Sequence, residues 1–295
     1  MSKDKLITVL TPTYNRATLL KDLYKSLLNQ EIKNFIWLII DDGSEDNTNS
    51  IVSEFDDGDF TIVYYKKSNG GKHTAINFAM KYICTPLTII VDSDDILLPY
   101  ATKTIQQYYQ KYSDKIDDLC SFSFLRCYKD GMPIISLDRD EFTSDYPTCR
   151  VKENRPGDMA EVYLSDKLKQ FSFPEIYNEK FISEDVVWIP MGLMYKTVYI
   201  NRAIYQGGYL DDGLTYNDKP AKFKSPIGSM YRGLALMNKA CGIKANIRGA
   251  IIYECYKIVA KRKYGSSCFI PTPTRKLLCK LMTPVGALFY YIWRP

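Results

Sequence analysis

Four short apolar runs, each closing on a polar turn, constrain this chain more than any other feature. They are Leu6–Leu10 (LITVL), Phe35–Ile40 (FIWLII), Thr61–Tyr65 (TIVYY) and Leu87–Val91 (LTIIV). A strand with one wet face alternates apolar and polar residues; continuous runs belong to strands buried on both faces. Between them, Ala17–Asn29 sets Leu19, Leu20, Leu23, Leu27 and Leu28 at helical spacing, and Thr48–Phe55 and Thr74–Ile83 return to that period. Repeated strand–helix alternation implies an α/β fold with parallel pairing. Ligands of such sheets bind beyond the carboxyl ends of the strands. Here those ends carry Thr11–Asn15, Asp41-Asp42 and Asp92–Asp95, which are expected to converge on one rim.

Beyond Lys111 the pattern loosens. Leu119–Tyr128 and Met132–Leu137 read as a hairpin across Lys129-Asp130-Gly131, Asp138–Asp158 as a loop, and Ala160–Gln170 as a short helix. Tyr195–Ile200 and Ala203–Gly207 read as strands, and Pro226–Ala240 as a helix.

With 295 residues, 46% apolar and 25% charged, the chain has the make-up of a globular protein and not of a disordered or fibrous one. Its net charge of +5 is unevenly spread: no acidic residue follows Glu254, and the last 41 residues carry +8 against −3 for the rest. A basic tail on a mildly acidic body points to a localised anionic partner and away from a nucleic-acid-coated surface. The eight cysteines form no CxxC pair and are read as free thiols in a reducing compartment. The first residues do not resemble a secretion signal, and no run of 18 apolar residues suits a spanning helix.

The acidic cluster Asp92-Ser93-Asp94-Asp95 follows an apolar strand directly. Clustered carboxylates repel one another unless a cation sits among them, and the i, i+2 spacing of an extended chain turns Asp92 and Asp94 the same way. A solvated turn with Asp95 capping the next helix is the plainer reading of this triplet alone. Asp41-Asp42-Gly43-Ser44 also follows an apolar strand and by itself reads as a turn, with Asp46 or Ser44 capping the following helix. Asn69-Gly70-Gly71-Lys72-His73 offers backbone amides and a cation at a helix start, suited to phosphate. It is not a P-loop, and no dinucleotide fingerprint follows any strand. His73, the single histidine, is expected at the surface or capping a helix.

In order and spacing, Thr11-Pro12-Thr13-Tyr14-Asn15-Arg16, Asp41-Asp42-Gly43-Ser44, Asp92-Ser93-Asp94-Asp95 and Ser183-Glu184-Asp185 together resemble the family 2 glycosyltransferases of bacterial surface-glycan type, over roughly residues 5 to 200. The stretch Gly70–Asn77 and the helix-like region Gly157–Glu161 look like bacterial members too. The resemblance implies a GT-A fold, with a Rossmann-like, mostly parallel nucleotide-binding sheet, followed by a C-terminal helical extension. It implies a nucleotide-sugar-binding half over residues 1–115, an acceptor-binding half over 116–240, and a basic, amphipathic extension over 241–295.

By the same resemblance, Pro12 and Tyr14 line the nucleotide pocket and Asp42 accepts a hydrogen bond from the base, uracil or thymine. Asp92 lies near the ribose and diphosphate and joins Asp94 in binding Mg²⁺ or Mn²⁺. Lys72 contacts the diphosphate or base. Asp185 is the general base, with Glu184 beside it as the alternative. The implied activity is inverting transfer from a UDP- or dTDP-sugar to a hydroxyl of a lipid-linked glycan or growing surface polysaccharide. A nucleotidyltransferase making a nucleotide-sugar, or a non-catalytic nucleotide-sugar- or glycan-binding protein, are the rival classes.

The segment Thr274–Trp293 is basic first, then aromatic and apolar. It reads either as a segment lying on an anionic membrane surface or as a helix packed on the body. The expected location is cytoplasmic, with peripheral attachment to the inner face of the plasma membrane as the first of those readings.

Overall fold

The computed structural model describes residues 5–56, 58–155, 157–207, 218–265 and 269–294. The chain forms two compact units that interleave along the sequence. Unit 1 comprises Met1–Ser144, Pro156–Phe171 and Tyr195–Gly208; unit 2 comprises Asp145–Arg155, Ser172–Met194 and Tyr209–Pro295.

Unit 1 is built on one mixed sheet. Its first part runs β1 (Ile7–Thr13), α1 (Ala17–Leu28), β2 (Phe35–Asp41), α2 (Thr48–Ser53), β3 (Thr61–Lys66), α3 (Lys72–Ala79) and β4 (Leu87–Ile90). The four strands lie in the order β3-β2-β1-β4, all parallel. Strand order changes side at β1, which opens a crevice beyond the carboxyl ends of β1 and β4. Every residue of β1 and β2 is buried, as the unalternating runs require. Leu20, Leu23 and Leu27 of α1 have no exposure at all; burying each stabilises the fold by about 1.5–3 kcal/mol. Tyr24, Trp37 and Phe55 stack against one another beside them.

Pro12 sits inside β1, where a proline normally breaks a ladder. It is accommodated because β4 pairs only Ile7–Leu10. The last bond to that side is from the Val91 amide to the Leu10 carbonyl, so the amide that Pro12 lacks has no strand to meet.

The sheet continues through β5 (Ile96–Leu97), α4 (Ala101–Lys111), β6 (Leu119–Cys127), β7 (Glu141–Ser144), β8 (Met159–Leu164), α5 (Ser165–Leu168) and β9 (Lys196–Gln206). After β4 the order is β8-β6-β9-β5, with β7 on β9. Several expectations are corrected here. Of the helix read over Ala160–Gln170 and the helix-like region Gly157–Glu161, Met159–Leu164 is instead β8, antiparallel to both β4 and β6, and only Ser165–Leu168 (α5) is helical. The β8 run of six residues is too short for periodicity to separate a buried strand from a buried helix. The stretch read as a loop over Asp138–Asp158 contains β7 and a π-helical turn at Pro147–Lys152. The two strands read between Tyr195 and Gly207 are one, and the hairpin after β6 is reduced to a bridge between Cys127 and Pro133.

Unit 2 is helical: α6 (Asp185–Met194), α7 (Asp218–Lys224), α8 (Pro226–Leu236), α9 (Gly242–Tyr264) and α10 (Lys276–Trp293). Met230, Tyr253, Tyr256, Ala250 and Ala260 centre its core. Helices α8 and α9 meet through glycine: a Cβ on Gly233 would lie 2.7 Å from the Gly249 carbonyl oxygen, and one on Gly249 2.6 Å from that of Gly233. Cys120, Cys127, Cys241, Cys255 and Cys279 are buried free thiols; Cys268 lies outside the described residues. Among the described residues no helix is long and apolar enough to cross a membrane.

Candidate active site

The rim of unit 1 brings together the strand-end residues singled out in the sequence. Asp41 turns inward: its carboxylate accepts from the Ser44 amide (2.7 Å) and the Tyr64 hydroxyl (2.6 Å), closing the turn after β2. Asp42 is also buried, and ties a second loop to that turn. It accepts from the Gly70 amide (3.0 Å), the Gly71 amide (2.6 Å) and Lys67 Nζ (2.7 Å). The amides of Gly70 and Gly71, expected to face a phosphate, are therefore spent on Asp42. The loops also touch at Gly43, whose φ is +84° and whose Cβ, were there one, would lie 2.8 Å from the Asn69 amide nitrogen. Only glycine meets both demands.

Beyond β4, Asp92 accepts an ion pair from Lys72 at 2.7 Å and lies 4.0 Å from Arg126. Lys72 opens α3 directly after Gly71, which takes φ +97°. Burial pushes the Asp92 carboxyl up, but Lys72 and Arg126 outweigh it and hold it below its ordinary value. Arg126 also pairs with Asp95 at 2.7 Å and stacks on the Tyr205 ring, 3.9 Å from its centroid. The Tyr205 hydroxyl donates to Asp95 (2.9 Å) and accepts from the Asp92 amide (3.0 Å). Burial raises Asp95 to about 6 despite Arg126.

Asp94 stands apart. It takes part in no ion pair among the described residues, and burial together with the Asp92 charge raises its carboxyl. A half-buried carboxylate beside another and in no direct ion pair among the described residues is suited to a hard divalent cation. Asp92 contributes less readily, because Lys72 and Arg126 already draw on its oxygens. Among the described residues no group of three or more His, Cys, Asp or Glu converges to cage a metal.

Pro12 is buried at the end of β1, and Tyr14 just beyond it is 43% exposed. His73 is buried in the first turn of α3, not at the surface.

In unit 2, Asp185 begins α6. Its carboxylate accepts from the Tyr146 hydroxyl (3.2 Å), the Ser183 hydroxyl (3.3 Å) and Arg232 Nε (2.8 Å). Glu184 is exposed and accepts from Trp188 Nε1 at 3.3 Å. Three donors thus fix the orientation of the Asp185 carboxylate.

Sequence reading missed Lys67, Arg126, Tyr205 and Arg232. Arg126 left a signal, being the one charged residue in the apolar strand LCSFSFLRC, where a buried guanidinium demands an acid partner. Tyr205 and Arg232 left none.

The model of glycosyl transferase family 2 matches residues 8–129, the stretch that holds Asp42, Lys72, Asp92 and Asp94. Over that stretch the chain is similar to family 2 glycosyltransferases.

Proteins similar to it in sequence bear glycosyltransferase names. An uncharacterized glycosyltransferase, MG060 of Mycoplasma genitalium, is 34% identical over 130 residues, 42% of each chain. The GalNAc(5)-diNAcBac-PP-undecaprenol beta-1,3-glucosyltransferase of Campylobacter jejuni is 35% identical over 107 residues, 34% of this chain and 33% of that protein. The chain thus spans less than half the length of these relatives. Residues 1–349 of S. aureus TarS, solved with UDP-GlcNAc, superpose with a TM-score of 0.62 at 16% identity, covering 98% of this chain and 82% of that one. At that identity the likeness carries the fold, which is GT-A.

Proposed function

We propose that this protein is an inverting, divalent-metal-dependent glycosyltransferase. It transfers a sugar from a UDP- or dTDP-sugar to a hydroxyl of a lipid-linked glycan or growing surface polysaccharide, at the cytoplasmic face of a membrane. The observation that carries this reading is Asp94: an acid in no ion pair among the described residues, in the stretch similar to family 2 glycosyltransferases, just beyond β4 and beside the crevice.

Asp94, with Asp92, would hold Mg²⁺ or Mn²⁺, which would supply positive charge against that growing on the leaving diphosphate. Lys72 and Arg126 keep Asp92 ionised and aimed, and Lys72 is close enough to the acids to contact the diphosphate as well. Pro12 and Tyr14 border the nucleotide. Asp42 serves the base mainly by fixing the loop over residues 67–71.

Asp185 is the general base. Arg232, Tyr146 and Ser183 orient its carboxylate, which takes the proton of the acceptor hydroxyl. The acceptor oxygen bonds to the anomeric carbon as that carbon's bond to the diphosphate breaks, and one displacement inverts the centre. Support for the donor and acceptor classes comes from TarS, solved with UDP-GlcNAc, and from the Campylobacter relative, named for an undecaprenol-linked glycan.

The test is a product assay with UDP- and dTDP-sugars and undecaprenyl-diphosphate-linked glycans in the presence of Mn²⁺. Release of a nucleoside diphosphate with an inverted linkage is expected. Release of pyrophosphate would instead make the protein a nucleotidyltransferase, and binding without turnover across the panel a binding protein.

A further inference from the structure

We propose that α10 seats the protein on an anionic lipid surface, lying in its plane with its outer face among the acyl chains. This deepens the membrane placement in the proposed function and rests on that part of the reading, while vesicle binding is measured independently of sugar transfer. Leu277, Leu281, Leu288, Tyr291 and Ile292 are 57–72% exposed. At about 3.6 residues per turn, these five and the exposed Pro284 project within an arc of about 100°.

The opposite side of α10 is taken up by packing on α9. A Cβ on Gly286 would lie 2.7 Å from the Glu254 Cβ and 3.0 Å from the Cys255 amide nitrogen. Thr283 donates to Glu254 (3.3 Å), Arg262 donates to the Tyr290 hydroxyl (2.7 Å), and Cys279 is buried. A helix fixed on that side has no way to turn its outer leucines inward. The sequence left surface binding and packing as alternatives; the helix packs on one side and presents an apolar stripe on the other. Contiguous exposed apolar surface of this kind marks an interaction face.

Charge selects the occupant. Lys276, Lys280 and Arg294 fall along one border of the stripe, and no acidic residue follows Glu254 in the sequence. A pocket in the same unit is lined by Arg262, Lys263, Arg294, Tyr290, Phe223 and Val259. No carboxylate pairs with its three cations among the described residues. Cations bordering an apolar stripe, with Tyr and Trp at its end, match the boundary between phosphate headgroups and acyl chains. The pocket accepts the phosphate of an anionic lipid.

The experiment is co-sedimentation of the full chain with vesicles of phosphatidylcholine alone or mixed with phosphatidylglycerol, alongside sedimentation velocity without lipid. Binding to the mixed vesicles is expected, weakening about tenfold or more without the anionic lipid or at high salt. Leu281→Glu with Leu288→Glu changes only exposed positions; it should abolish binding while leaving the melting temperature unchanged. Arg262→Gln with Lys263→Gln should lose the preference for phosphatidylglycerol and keep weak binding. Absence of vesicle binding, or full binding by the leucine variant, overturns the proposal. So does a dimer in solution that the leucine variant dissociates, since the stripe would then face a second copy.

Discussion

Asp42 shows how one side chain can be assigned to a ligand from sequence and be committed to the fold in the structure. Its position after an apolar strand was legible, because acids at strand ends of a parallel sheet face the ligand crevice. Its partners were not, since Lys67 and the Gly70 and Gly71 amides lie 25 to 29 residues away. Gly43 completes the same junction. Replacing it with alanine forces a Cβ into a positive-φ position against the Asn69 amide, and should cost about 1–3 kcal/mol, read by chemical denaturation. Asp94→Asn acts differently. It removes an acid that burial and Asp92 already disfavour, so the melting temperature should hold or rise while sugar transfer is lost.

At the level of elements, apolar runs located β1 to β4 because a twice-buried strand writes its environment directly into the chain. Strand β8 escaped because its six residues carry the same apolar signal as a buried helical turn, and only its pairing with β4 and β6 decides between them. Glu179 was equally invisible. Buried, it accepts from the Ile227 amide (3.0 Å), the Gly228 amide (2.7 Å) and the Tyr264 hydroxyl (3.1 Å), satisfying the free amides at the start of α8. Glu179→Ala should destabilise the protein by about 1–3 kcal/mol. Glu141 on β7 joins α4 through Lys111 and Tyr112. The Lys111 hydrogen bond, ahead of burial, which opposes it, leaves the Glu141 carboxyl below its ordinary value. With the folded value below the unfolded one, its contribution is whole at neutral pH and fades as pH falls below about 4.3 through the folded value. Glu141→Gln should therefore lower stability by under about 1 kcal/mol at pH 7, and urea titrations at several pH values should show the difference vanish in acid.

Across the whole molecule, the residues assigned to the donor belong to unit 1 and the assigned base to unit 2. The chain returns to the sheet twice after leaving it, through Pro156–Phe171 and Tyr195–Gly208. No composition shift or linker marks those crossings, so sequence order alone could not draw the units. The assignment separates the two chemistries in a testable way: Asp185→Asn should abolish transfer with UDP affinity nearly unchanged, whereas Glu184→Gln should remain active. The most direct test of the central claim is the thermal shift produced by UDP with and without Mn²⁺, on the wild type and on Asp94→Asn. A ligand that binds only the folded state at about a hundred times its Kd stabilises it by about 2.7 kcal/mol. UDP should raise the wild-type melting temperature markedly more with Mn²⁺ than without it, and Asp94→Asn should lose that difference. An equal shift in both proteins, with or without the metal, would contradict a cation held at Asp94.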